Sequence, residues 1–405
     1  MGAFVRFSLV SLGPTRFCRC CAALLRRLVA VCPPPPPTPS PSRAPHSLTP
    51  PPPPPLSYDG FLTYVELNHG AILSDVNLPE FRRATFRASA SAGAAIGCVS
   101  CFVAGKYWNP ADLAPFHSFV VVVAVVCAVV FLASYLALKS SFLNAPSHSS
   151  HDMSPRSQPE FVAIVKQVIR SKNFLCYVAF SALQVYECTF EKNFLNLFLD
   201  ALLGPEHAVP RGIFIVISFV LPHALVVVVT PLVQRHGCYR VILWVVVLKL
   251  LTHVIVVLAS LVYATGGSLS THTSLGFVAS AFLVFARVLT EMTCRLSPLV
   301  MSNIVDEDTF THRRPQPMSA LVMGVQSFLV KPGQSLAPML GWWLFAQGTG
   351  AAQQVGGEAQ AAMNPLYVYV IFAPCMCCAL QLLLWLRFDL HGRKLHDIQK
   401  SWDQA

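Results

Sequence analysis

The sequence predicts an all-α membrane protein that crosses the bilayer several times. Of its 405 residues, 54% are hydrophobic and 12% are charged, whereas a soluble chain carries roughly twice that share of charge. Mean hydropathy is +0.55, and apolar runs of about 20 residues, the length that spans the hydrocarbon core as a helix, recur along the chain. Composition and spacing therefore indicate a polytopic helical protein in contact with the lipid bilayer.

Nine apolar stretches have the length of a membrane-spanning helix, and mostly short polar linkers separate them. They lie at roughly 56–76, 86–105, 117–138, 174–199, 212–233, 241–263, 274–297, 319–345 and 366–386. Alanines and glycines crowd the second stretch between Ala88 and Gly97. Small residues permit close helix approach in lipid, so we expect this span to be buried in the bundle.

Basic residues alternate between linkers and so indicate orientation. They are concentrated after the first, third, fifth, seventh and ninth spans, whereas the other linkers carry few. Because cytoplasmic loops are enriched in lysine and arginine, the 139–173 linker and the C-terminal tail are both predicted to be cytoplasmic.

Residues 1–55 do not fit this scheme. They hold six arginines and no acid, and 14 of the 23 residues from 33 to 55 are prolines, which bar a helix and predict disorder. With nine spans, this basic segment would have to face outside. A targeting peptide or a ligand for proline-binding domains is an alternative, but we expect a non-native N-terminus and missing leading helices.

The linker lengths support the expectation of missing helices. Six spans follow the long linker 139–173, but only three precede it, whereas a major facilitator transporter has two six-helix halves. Three more helices at the front would restore that arrangement. The predicted divisions are 1–55 (disordered, proline-rich), 56–138 (last three helices of the first half), 139–173 (cytoplasmic loop), 174–390 (complete second half) and 391–405 (cytoplasmic tail).

Charges inside the spans are the first candidates for a functional site. Lys331 lies halfway along the eighth span, before Pro332 and Gly333, and Glu66 lies at the midpoint of the first. A charge at this depth costs from about 3 to more than 10 kcal/mol unless it finds a partner or water. We therefore expect Glu66 and Lys331 to approach each other inside the bundle, in a polar transport site.

Four other residues in the spans, Arg287, Glu291, Glu187 and His69, are candidates for the same site. Arg287, Glu291 and Arg295 follow one another at four-residue spacing along the seventh span and can pair on one helix face. They form either a structural stripe or a contact for a gate or substrate. Glu187, at mid-depth in the fourth span, is a cavity candidate, and His69 is either a packing histidine or a proton relay.

A cluster of loop charges follows the seventh span. Asp306, Glu307 and Asp308 are followed closely by His312, Arg313 and Arg314. This pattern predicts a cytoplasmic ion-pair latch that holds one state of a moving bundle, although exposed pairs are individually weak.

The sequence does not favour an enzyme. It has no Walker loop, dinucleotide fingerprint, nucleophile elbow or zinc-protease motif, and its 14 cysteines include no set with the spacing of a metal site. We expect no catalytic residue, cofactor or metal. The basic residues follow the topology and form no clustered surface for nucleic acid.

Five segments of the chain carry a family resemblance, namely Ser57–His69, Phe285–Leu296, Val305–Asp308, Val330–Gln334 and Leu390–His396. They resemble the transmembrane protein 180 family, which is similar to the glycoside–pentoside–hexuronide:cation symporters such as melibiose permease. The resemblance implies the major facilitator fold, with the first span here as the family's fourth and no counterpart of its first three. It also implies that Glu66 corresponds to an aspartate that binds cation and sugar in those symporters. Lys331 corresponds to a lysine that links their cation site and their sugar site.

The predicted function is alternating-access movement of a small polar solute, sugar-like by resemblance, either facilitated or coupled to Na+ or H+. We expect a monomer that binds no nucleic acid. The alternative is a non-transporting scaffold or receptor with the same fold, or a truncated inactive product.

Overall fold

The computed structural model describes residues 70–71, 73–74, 80–107, 112–144, 161–203, 207–266, 273–314, 317–355 and 365–403. This part of the chain is helical and contains no strand. In chain order the helices are α1 Glu80–Tyr107, α2 Ala114–Asn144, α3 Phe161–Arg170, α4 Lys172–Leu203, α5 Ala208–His236, α6 Cys238–Gly266, α7 Thr273–Thr311, α8 Ser319–Val355, α9 Pro365–Leu386 and α10 Arg393–Asp403.

The all-α polytopic prediction is confirmed. The second to ninth predicted spans fall within α1, α2 and α4 to α9 in order, whereas the first, 56–76, lies almost entirely outside the described residues. Hydropathy and length alone mark four described stretches as able to cross a membrane, namely Ala114–Leu136, Val209–His236, Cys238–Leu258 and Phe277–Thr311.

Helices α4 to α9 form a bundle in which α4 is central. It packs against α7, α8 and α9 and contacts α5, and one apolar core runs through these helices. Helix α8 continues through Pro332 and Pro338. It approaches α4 closely at Gly333, where an added Cβ would lie 3.0 Å from the carbonyl oxygen of Ala182.

Aromatic side chains close one end of this core. Trp385 of α9 stacks on Tyr239 of α6 and on Phe388, with ring centroids 5.4 and 5.1 Å apart. Its indole N–H donates a hydrogen bond to the Tyr239 carbonyl at 3.1 Å. Such pairs add about 0.5–1.5 kcal/mol each beyond burial, so the ends of α6 and α9 are held together.

Helix α1 packs against α5 and α7, and α2 packs against α1. The prediction that the small residues of this span are buried is wrong for the described structure. Ile96 is 76% exposed, and a Cβ added at Gly93 or Gly97 would meet nothing within 4 Å. Only the face that includes Arg83, Ala84 and Ser91 is buried, because α5 and α7 both lie on that side.

Charged residues gather at one end of the bundle, which we call the charged end. It comprises the starts of α1 and α4, the last turns of α7 and the short helices α3 and α10. Helix α3 buries Ile164 and Val168, and α10 buries Leu395 and Ile398 beside α7. The predicted topology makes this the cytoplasmic end.

Candidate functional site

A buried ion pair lies at the centre of the α4–α9 bundle. Lys249 of α6 donates to the Glu187 carboxylate at 2.7 Å, and both side chains are fully buried. The same ammonium donates to the amide oxygens of Gln381 on α9 at 2.9 Å and Gln184 on α4 at 3.2 Å. These three bonds use all the donors of a lysine, so the charge is satisfied without water.

This network extends to neighbouring helices. The Gln381 amide donates to Glu187 at 2.9 Å, and the Gln184 amide donates to the Thr290 carbonyl of α7 at 2.7 Å. We call the set of Gln184, Glu187, Lys249 and Gln381 the lysine network. It connects four helices through polar contacts in a medium where an unpaired partner would be costly.

Glu187 of the lysine network and two neighbouring side chains have the donor types of a metal site. Ligand atoms of Glu187, His253 and Cys378 lie within 4.8 Å of one another. The Cys378 thiol donates to Glu187 at 3.4 Å, and His253 Nδ1 lies 2.8 Å from the Lys249 carbonyl. Because the Lys249 ammonium already supplies positive charge to Glu187, the present arrangement is an ion pair, and a metal would have to displace it.

A second cluster surrounds Glu291 on α7. Its carboxylate accepts hydrogen bonds from Arg295 at 2.6 Å and from the Cys188 thiol at 3.0 Å. Lys192 of α4 forms an ion pair with it at 3.0 Å. Of the predicted stripe, the structure therefore brings Glu291 and Arg295 together, and α4 supplies a second cation that the sequence did not indicate.

Arg287 does not pair with Glu291. Its side chain is 1% exposed, and the structure gives its three guanidinium nitrogens no hydrogen-bond partner. The guanidinium lies over the ring of Phe219 on α5, 5.0 Å from the centroid. Nearby Glu191 accepts from the Thr290 hydroxyl at 3.3 Å, but its second oxygen is buried and unpartnered.

The expected pair of Glu66 and Lys331 stays a prediction, since Glu66 and His69 lie outside the described residues. Among the described residues, Lys331 is exposed on α8, because the buried face of this helix includes Val322, Val330 and Ala337 and the next residue points about 100° away.

The three loop acids reach different helices. Asp306 accepts hydrogen bonds from both Nη atoms of Arg83 on α1, at 2.6 and 3.1 Å. Glu307 accepts from the Asn173 amide at 2.8 and 2.9 Å and from Lys394 of α10 at 2.5 Å. Within the predicted latch, the structure joins Asp308 to Arg314.

The Arg314–Asp308 contact is bidentate, at 2.6 and 3.1 Å, and His312 lies 3.1 Å from the same carboxylate. Arg313 is exposed with a φ of 46°, and no described acid pairs with it. Consecutive residues of a helix project about 100° apart. Asp306, Glu307 and Asp308 therefore point in different directions and cannot all pair with the basic residues that follow them.

Helix α1 is attached to the bundle by further contacts at the charged end. Glu80 accepts the backbone N–H of Cys238, the first residue of α6, at 2.7 Å, an orphan donor at a helix start. Arg87 donates to the Arg295 carbonyl at 2.6 Å. The sequence did not mark Arg83, Glu80 or Arg87 as site residues, since nothing in a local motif indicates a partner about 200 residues away.

An exposed pair also joins α4 to the segment after α9. Lys172 donates to the Asp389 carboxylate, and this hydrogen bond lowers the pKa of Asp389 and raises that of Lys172. Both side chains are more than half exposed, so solvent screens their attraction and the pair contributes little to stability.

Comparison with known proteins assigns the chain to a family. A family model described as "MFS/sugar transport protein" matches residues 83–392. Transmembrane protein 180 of Gallus gallus is 32% identical over 374 residues, which cover 84% of this chain and 71% of that protein. Transmembrane protein 180 of Mus musculus is 31% identical over 381 residues with the same coverage. The chain therefore belongs to the transmembrane protein 180 family within the MFS/sugar transport proteins.

Proposed function

We propose that this protein moves a small polar solute across a membrane by alternating access, without catalysing a reaction. Two features support the proposal. The family is described as sugar transport proteins, and the α4–α9 bundle carries acids, bases and amides at depths where polar groups are rare outside transport pathways. Either facilitated movement or coupling to Na+ or H+ fits these charges.

The observation that carries the proposal is the bidentate pair of Arg83 and Asp306. On the predicted division of the chain, α1 belongs to the first half and α7 to the second. Their side chains are 1% and 7% exposed, so the pair is a buried contact between halves. Breaking a buried pair by removing one partner costs about 3–5 kcal/mol, enough to determine which side of the protein is open.

The pair lies at the charged end, which we propose to be cytoplasmic. In this arrangement Arg83–Asp306, Glu80–Cys238 and Arg87–Arg295 close the inner side together, and they must separate for the solute to leave. We call these three contacts the inter-half latch. It retains Asp306 from the predicted latch but takes its partner from α1.

Cys238 provides a native probe for opening of the latch. It is 1% exposed, and Glu80 of α1 binds its backbone N–H. If α1 moves away from α6, the Cys238 thiol becomes accessible from the charged end. Alkylation by a soluble maleimide can be followed at this cysteine by peptide mass spectrometry of the full chain.

We expect Asp306→Asn to raise the alkylation rate of Cys238 at least about tenfold, because each 1.4 kcal/mol shifts the open population by a factor of ten. The matched control is Asp308→Asn, which removes a similar bidentate pair two residues away but leaves the two halves joined. It should leave Cys238 protected. Equal rates in both variants would contradict the latch.

One observation favours the scaffold alternative. The lysine network is fully satisfied, so the central charges need no solute or cation to be stable. A non-transporting scaffold would keep such a network and would not open. Protection of Cys238 in Asp306→Asn, with the protein still folded, would therefore favour the scaffold over the transporter.

A further inference from the structure

Arg287 is a buried cation that forms no ion pair or hydrogen bond in the described structure. Its Nε, Nη1 and Nη2 atoms are all buried without a hydrogen-bond partner. The Phe219 ring beneath it contributes about 0.5–2 kcal/mol, whereas removal of an ion from water costs several kcal/mol after relaxation. None of the five N–H donors of this guanidinium is used, and the nearest described carboxylate, Glu191, has one buried oxygen that is also without a partner.

The surroundings of Arg287 are rich in unused donors. Phe219 and His223 share one face of α5, and Arg287, Glu291 and Arg295 share one face of α7, since residues four apart are neighbours. We call the contact between these faces the α5–α7 seam. His223 Nδ1 and Arg295 Nε are also buried and unpartnered there, so several nitrogens in the seam lack acceptors.

The described charges around the lysine network and the seam do not balance. Among these described residues, four cations, Lys192, Lys249, Arg287 and Arg295, stand against three carboxylates, Glu187, Glu191 and Glu291. Lys249 and Glu187 neutralise each other, and Glu191 interacts electrostatically with Arg287 without forming an ion pair. The formal excess of one positive charge lies where Lys192 and Arg295, both partly exposed, share Glu291.

We propose that Arg287 binds an anionic solute in the α5–α7 seam, through a carboxylate or phosphate group. A guanidinium matches these groups because its planar fork gives two parallel hydrogen bonds to their oxygens. One anion would provide acceptors for the unused donors. A neutral sugar provides hydroxyl groups, whose hydrogen bonds to a guanidinium are weaker than those of an ionised group. This inference rests on the proposed function and specifies its substrate class.

The inter-half latch covers the route to this position. Arg87 of α1 binds the Arg295 carbonyl at one end of the seam, and Arg295 is two turns, roughly 12 Å, from Arg287 along α7. Helix α1 also packs against α5, whose His223 interacts electrostatically with Arg87. Separation of α1 from α5 and α7 would therefore open the seam from the charged end.

Thermal unfolding of the purified full chain in an uncharged detergent tests the proposal. At constant ionic strength, sodium gluconate or inorganic phosphate should raise Tm by about 2–4 °C or more when saturating, whereas glucose should not. Arg287→Gln should abolish the shift, and Arg287→Lys, which keeps the charge without the fork, should weaken binding about tenfold. The exposed control Arg240→Gln should keep the full shift.

The same variants report whether Arg287 is unpaired. Because its guanidinium is buried without a hydrogen-bond partner, Arg287→Gln should melt at the same temperature as the unmodified protein or higher when no anion is present. A large drop in Tm, or a chain that cannot be folded, would show a hidden partner and overturn the proposal. Rescue of a Glu66→Gln variant by Arg287→Gln would identify Glu66 as that partner.

Two further arms separate the possible sources of the anion. Stabilisation by gluconate or phosphate in detergent indicates a soluble solute, whereas stabilisation only in bilayers that contain phosphatidate indicates a lipid headgroup on Arg287. Absence of any Arg287-dependent shift, with Asp306→Asn still exposing Cys238, overturns the anion site and leaves the transporter proposal standing. An Arg287-dependent shift with Cys238 protected supports the site and contradicts the transporter proposal.

Discussion

At the scale of single residues, Lys249 illustrates how a membrane interior accommodates a full charge. Its ammonium is completely buried, and three acceptors on two other helices satisfy it. Removal of one member of such a network leaves the others buried without a partner, which costs more than the network contributes when complete.

We therefore expect Lys249→Met to lower the free energy of unfolding by about 3–5 kcal/mol, since Glu187 loses its counter-charge. The double variant Lys249→Met with Glu187→Gln should recover much of this loss, because no buried charge then remains. Thermal unfolding in detergent measures both, and Lys166→Met on the exposed side of α3 is the control. A fall in Tm equal to that of the control would contradict the central role of the pair.

Charges within the spans could be recognised from the sequence, but their partners could not. Lys331 and Glu187 were both identified as charges at mid-span, yet one is exposed and the other fully buried. Their difference depends on the rotation of each helix about its axis, which hydropathy does not determine. Lys249 could have been recognised as the partner of Glu187 only by placing both spans at one depth and side by side.

At the scale of helices, α8 and α4 depend on a small residue for their contact. Gly333 lets α8 approach the Ala182 carbonyl of α4, and a Cβ there would lie 3.0 Å from that oxygen. Pro332 precedes this glycine, and a proline inside a helix removes a backbone donor and can kink the helix. Helix α8 is instead continuous there, so close packing explains the glycine.

Two alanine substitutions in α8 should consequently have opposite signs. Gly324→Ala meets nothing within 4 Å and should stabilise the helix by up to about 1 kcal/mol. Gly333→Ala meets the α4 backbone and should lower Tm relative to the unmodified protein. Unfolding of the two variants under identical conditions checks this, and a gain in both would show that α4 and α8 separate easily.

Whole spans were the most predictable elements. Eight of them coincide with described helices, because the need to cover about 30 Å of hydrocarbon sets the length of each apolar run. Burial of the second span was predicted wrongly, because small residues allow close approach of another helix but do not determine whether a helix lies there. The partner of Asp306 was also not predictable, since it lies on α1 and not in the basic segment that follows Asp306 in sequence.

At the scale of the whole molecule, orientation follows from the alternation of basic linkers. We expect epitope tags inserted at residue 150 and added after residue 405 to lie on the same, cytosolic side. Antibody access in cells permeabilised selectively at the plasma membrane measures this for both tags. Tags on opposite sides would contradict the span count and the placement of the charged end inside.

The polar face of α4 has a consequence for biogenesis. Gln184, Glu187, Cys188, Glu191 and Lys192 repeat at helical spacing, and α4 is not among the helices that hydropathy alone identifies as spans. During synthesis α4 leaves the ribosome before α6, so Glu187 precedes its partner Lys249 by about 60 residues. Because an unpaired charge is costly inside the bilayer, we expect α4 to be released into lipid only after α6 has been made. Assembly of the bundle would then depend on the order of synthesis.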